Sequence, residues 1–104
     1  MFYVNFLGET CAVEHGYYDN GRHALRLLCK DGSPMATATV NIPDVMLADG
    51  AVLIKDWGEN EGMYEALANA RVIEHERRPH LVETGHVYAK VAWLSIGFLN
   101  WIGE

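Results

Sequence analysis

Residues 23–42 constrain the fold most. The segment His23-Ala-Leu-Arg-Leu-Leu-Cys-Lys30 is followed by Asp31-Gly32-Ser33-Pro34 and then by the β-branched run Met35 to Ile42. Alternation in the first segment sets Ala24, Arg26 and Leu28 on one side and Leu25, Leu27 and Cys29 on the other. The odd side is therefore predicted to face a core. The Asp-Gly-Ser-Pro turn lets the second segment fold back on the first as an antiparallel hairpin.

The flanking segments extend this pattern. Phe2, Val4 and Phe6 alternate with Tyr3, Asn5 and Leu7 before Gly8, which predicts a first strand. A second short strand is expected from Thr10 to Glu14, and Asp19-Asn20-Gly21 signals a turn. Pro43 ends the Met35–Ile42 strand by removing a donor, residues 44–50 form a loop, and Ala51 to Trp57 reads as a mostly buried strand. Met63, Leu67 and Ala70 recur at helical spacing, with Asn60 as the expected N-cap and Glu59 and Glu61 favoured by the helix dipole. This predicts one helix over about 60–71. Residues 74–86 read as a polar connector, and Val87 to Leu94 as a strand running into an apolar tail, 92–104. The expected class is α+β: a single domain, 1–104, with one antiparallel sheet of about five or six strands and one short helix on a face.

Charge narrows the function. Fourteen acids against eight bases give a formal net charge of −6. Such a balance argues against direct nucleic-acid binding, which needs a basic patch, and favours a partner with a basic surface. The most apolar stretch, Val91 to Ile102, is interrupted by Ser95, Gly97 and Asn100, so no membrane span is expected. The opening Met-Phe-Tyr-Val-Asn-Phe-Leu-Gly lacks a basic leader, which points to the cytoplasm. In that compartment Cys11 and Cys29 are expected as reduced thiols.

Residues able to carry chemistry are sparse. His75, His80 and His86 match no zinc spacing, so neither metal nor cofactor is expected. Ser33 lies in a turn and Ser95 in the apolar tail, without the flanks of a nucleophile elbow. Cys11 near Glu14 and His15 is the one thiol–base pairing to weigh, and Asp56 beside Trp57 the one carboxyl with an apolar neighbour. Gly58-Glu-Asn-Glu-Gly62 would repel a phosphate rather than cradle it. Catalysis is not expected.

Residues 44–65 hold Asp44, Asp49, Asp56, Glu59, Glu61 and Glu65 against a single base, Lys55. If these side chains share a rim they imitate a strip of phosphates and suit a groove lined with Lys and Arg. Trp57 and Tyr64 would then supply apolar anchors. Trp93, Phe98 and Trp101 in the tail admit three readings: completion of the core, a partner contact, or a homodimer interface.

Three segments carry a resemblance. Gly21-Arg-His-Ala-Leu-Arg-Leu27, Thr37-Ala-Thr-Val-Asn-Ile-Pro43 and Ile54-Lys-Asp-Trp-Gly-Glu-Asn-Glu-Gly-Met-Tyr-Glu-Ala-Leu67 resemble a family of bacterial and phage proteins of unassigned function, about this size, carried on plasmids, phages and integrated elements. The likeness covers residues 17–90 and is most specific around Glu59-Asn60-Glu61-Gly62-Met63. It implies a mobile-element accessory protein. By analogy of setting and charge, it implies a non-enzymatic inhibitor of host defence, anti-CRISPR above all, that occupies a basic nucleic-acid-binding site. The alternative is a homodimeric structural or regulatory accessory protein of a plasmid or phage.

Overall fold

Seven strands and two helices follow one another in a computed structural model that describes residues 1–75 and 80–104. Strands β1 (Tyr3–Phe6), β2 (Glu9–Tyr17), β3 (His23–Leu28) and β4 (Pro34–Thr37) form an antiparallel sheet in that order. Strand β5 (Ala51–Ile54) begins a second antiparallel sheet, β5-β7-β6, completed by β6 (His80–Glu83) and β7 (Tyr88–Trp93). Helix α1 (Met63–Asn69) lies between β5 and β6, and α2 (Ile96–Ile102) follows β7. The class is α+β as expected, but the expected single sheet is two sheets, and the expected single helix is two.

The division into two sheets has a local cause at Thr39. The β4 segment pairs with β3 as far as Ala38, whose N–H donates to the Leu25 carbonyl. At Thr39 the backbone turns to bridge Ile54 of the second sheet instead. Its side chain stays behind: the Thr39 hydroxyl accepts from the Leu25 N–H at 3.1 Å, in place of a ladder bond. One residue thus serves both sheets.

Between the sheets lies the main core. The inner face of the first sheet contributes Val4, Phe6, Cys11, Val13, Leu25 and Leu27, so the odd side of β3 is inward as its alternation predicts. Met63 and Leu67 of α1, Phe98 of α2, and Val52, Ile54, Ala92 and Leu94 of the second sheet close it. The other face of the second sheet, with Leu53, Ala89 and Val91, is covered by Val40, Ile42, Val45, Leu47 and Trp57. All four residues of β5 are buried because both of its faces are covered.

Several boundaries differ from expectation. β2 runs to Tyr17 rather than Glu14, since Ala12 to Tyr17 pair with Leu28 to His23. The 74–86 connector contains β6, which pairs with β7 over His80–Glu83; residues 76–79 of that connector lie outside the described residues. Helix α1 has seven residues, not three turns, and Asn60 is not its cap. Residues 58–60 form a 3₁₀ turn, and Gly62, at φ +93°, precedes the helix. Arg71, at φ +63°, ends it: Val72 N–H donates to Leu67 and Arg71 N–H to Ala68, the paired bonds of a Schellman motif. No helix among the described residues is long and apolar enough to cross a membrane.

Candidate functional site

The run Lys55-Asp-Trp-Gly-Glu-Asn-Glu-Gly-Met63 is first of all a joint between β5 and α1. Asp56 has a side chain only 5% exposed. Its carboxylate accepts from the N–H groups of Gly62 and Tyr64, both at 2.9 Å, and pairs with Lys90 at 3.3 Å. Asn60 is buried and donates to the Thr37 carbonyl at 2.7 Å, tying the turn to β4. Glu59 points to solvent and pairs with Lys55 at 3.2 Å. Its own backbone N–H, then Lys55, hold its carboxyl below the ordinary range. Tyr64 is half-buried with Lys90 5.7 Å from its ring centre, and burial, then Glu74, push its phenol up. Of the expected partner-binding residues, Asp56, Trp57 and Tyr64 are thus built into the scaffold.

The remaining four carboxylates do not share a rim. Glu61 and Glu65 line a shallow depression with Asn5, Phe6, Leu7 and Asn69. Asp49 lines a different cavity, of about 420 Å³, with Tyr17, Arg22, His23 and Glu104. Leu7 and Tyr17 flank opposite ends of β2, a strand of nine residues that spans about 27 Å at ordinary strand rise. Asp44 is exposed in the loop after Ile42. The six carboxylates therefore do not form one strip: Glu61 and Glu65 lie at one end of β2 and Asp49 at the other.

One feature at the Glu61–Glu65 end was not visible in the sequence. Leu7 and Gly8 form the two-residue turn between β1 and β2, at φ +52° and +78°. Asn, Asp or Gly usually fill such positions, because a Cβ with a branched chain crowds the backbone there. Leu7 is nevertheless 66% exposed, so burial does not offset the strain. Neither Glu61 nor Glu65 makes an ion pair with the described residues.

At the other end of β2 the inward face changes character. Cys11 and Val13 are apolar, but His15 and Tyr17 continue the same side, with Tyr17 opposite His23 of β3 and His15 diagonal to it. His15 Nε2 lies 2.8 Å from His23 Nδ1. Glu104, just beyond α2, places Oε1 3.5 Å from His23 Nε2 and accepts a hydrogen bond from Tyr17 on Oε2. Burial, then His23, push the His15 pKa down, with Glu104 opposing. The Tyr17 phenol is pushed up, chiefly by its bond to Glu104.

No family model, curated protein or solved structure matches this chain. His15 does not pair with Cys11: four residues along one strand separate them by about 13 Å, and Cys11 is fully buried with its thiol pushed up by that burial. Both cysteines are free. The tail residues are mostly interior. Phe98 is fully buried, Trp93 packs over the second core, and Trp101 is 41% exposed, edge-on to Phe2 at 5.6 Å and tilted against Phe98 at 5.4 Å. An apolar hollow of about 600 Å³ lies between Val40, Ile42 and Trp57 on one side and Thr84, His86 and Val87 on the other. The His15–His23 pairing was latent in the Asp19–Gly21 turn, since a hairpin closed there sets 15 and 23 on one face. Nothing in the sequence pointed to Glu104.

Proposed function

We propose that this protein acts without chemistry, by binding another protein, and that its contact surface is the end of the molecule where Leu7 stands beside Glu61 and Glu65. The observation that carries this is Leu7: an exposed apolar side chain held on a strained backbone that Asn, Asp or Gly would relieve. An apolar knob flanked by two carboxylates suits an apolar pocket rimmed by Lys or Arg. Burial of the knob supplies affinity, and the carboxylates supply steering and choice of partner. In the mobile-element setting that the resemblance implies, the partner is a basic nucleic-acid-binding complex of host defence, and the protein is an inhibitor of it, anti-CRISPR in class.

The test is relief of restriction. The protein is expressed in hosts whose CRISPR effectors restrict a phage, and plaquing is scored for the wild type, Leu7→Asn and Glu61→Gln/Glu65→Gln. Relief by the wild type, lost in both variants, is the expected result. With the relieved effector purified, Leu7→Asn should weaken binding by at least about thirtyfold, the loss of one good anchor, and added salt should weaken the wild type more than the double Gln variant. No relief against any effector type, or relief untouched by the variants, removes the reading.

A further inference from the structure

We propose that the His15–His23 pair is a proton-operated latch that holds the end of α2 against the four-stranded sheet and opens on acidification. The two ring nitrogens, 2.8 Å apart, accommodate one hydrogen between them. With both rings neutral, His15 Nε2–H donates to His23 Nδ1, and the His23 Nε2–H then faces Glu104. A second hydrogen in the contact sets two donors against each other and forces the rings apart.

The surroundings decide what the first added proton does. His23 is only 8% exposed, and the His15 ring stands edge-on to Phe98 of α2 at 6.0 Å and to Tyr17 at 4.8 Å. Among the described residues, the charge that meets the pair directly is Glu104, which also carries the Tyr17 bond. Asp49 and Arg22 line the adjoining cavity, but the Arg22 guanidinium donates to the carbonyls of Ile42 and Val45. Glu14 and Arg26 pair with each other on the outer face of the sheet, and Tyr18 bonds Thr39. An imidazolium here loses water and faces a second imidazole and a phenyl ring, against one partly exposed carboxylate. In an opened state the His15 ring is hydrated and titrates near its ordinary value, about 6.5. Proton uptake therefore favours the opened state.

What opens is set by the connections. Glu104 N–H closes the last turn of α2 on the Leu99 carbonyl, and its side chain joins that turn to β2 and β3. Trp101 leans on Phe2 and Phe98 from the same helix. Release of the latch frees this turn and exposes Trp101.

The experiment uses protein labelled with 5-fluorotryptophan and reads the H₂O/D₂O isotope shift of each fluorine, which reports exposure rather than a neighbouring charge. Between pH 7.5 and 5 the Trp101 signal should move toward full exposure with a midpoint below about 6.5, while Trp57 and Trp93 keep theirs. His15→Asn, with Trp57 and Trp93 signals at pH 7.5 like the wild type, should abolish the transition. Glu104→Gln, which removes the one anion favouring the imidazolium in the closed state and weakens the anchor to Tyr17 and His23, should raise its midpoint. A wild-type Trp101 signal constant to pH 5, the same transition in His15→Asn, or all three signals moving together as in global unfolding would each overturn the latch.

Discussion

Asp56 satisfies two helix-start N–H groups and one ammonium with a single buried carboxylate. Asp56→Ala should therefore cost about 3 kcal/mol, the scale of stranding buried donors and a charge, measured by urea unfolding. Leu7 is the opposite case. Leu7→Gly or Leu7→Asn removes αL strain without loss of packing and should stabilise the fold by roughly 1 kcal/mol. The same denaturation series checks it; a destabilised Leu7→Gly would mean that the side chain is held by contacts. His15 sets a pH dependence. Its folded pKa lies below the unfolded one, so near pH 6 the unfolded chain binds more protons and stability rises with pH. The contribution is intact above about pH 6.5 and is lost as pH falls from there through the folded value. A melting-temperature profile in wild type and His15→Asn should diverge in that window, with the variant flatter.

At the scale of elements, the Thr39 corner is the joint on which the two sheets turn. Thr39→Val keeps the shape but strands the Leu25 N–H and the Tyr18 hydroxyl, and should cost about 1–3 kcal/mol, whereas Thr39→Ser should be nearly neutral. Equal losses in both variants would show that the methyl group, not the hydroxyl, matters. Legibility varied between elements for physical reasons. The β3–β4 hairpin was legible because alternation and turn chemistry are both local. β6 was not: with exposed His80 and Leu81 at a sheet edge, its pairing with β7 comes from the neighbouring strand rather than from its own pattern. Helix α1 was placed correctly but drawn too long, since Asn60 has the composition of a cap while its side chain is used by β4. Helix α2 was read as an undivided apolar tail, although Ser95 caps it by accepting from Phe98 N–H at 3.0 Å.

Across the whole molecule, one core touches every layer: both sheets and both helices contribute to it. Unfolding should accordingly be a single transition, with calorimetric and van't Hoff enthalpies equal and both sheets lost together. Two separated transitions would mean that the Thr39 corner is a linker and not a joint. Composition and period by themselves determined the α+β class, the inward face of β3 and the acidic balance, because these depend on residue type and near neighbours. Only the tertiary structure decided which carboxylates remain available. Asp56 and Glu59 find lysines at 3.3 and 3.2 Å, while Asp49 and Glu61–Glu65 fall at opposite ends of β2. It also decided that the His15–His23 pair meets Glu104, a residue 81 positions beyond His23 in the chain. Charge is additive along a sequence, but its field depends on distance, and distance between remote residues exists only once the chain has folded.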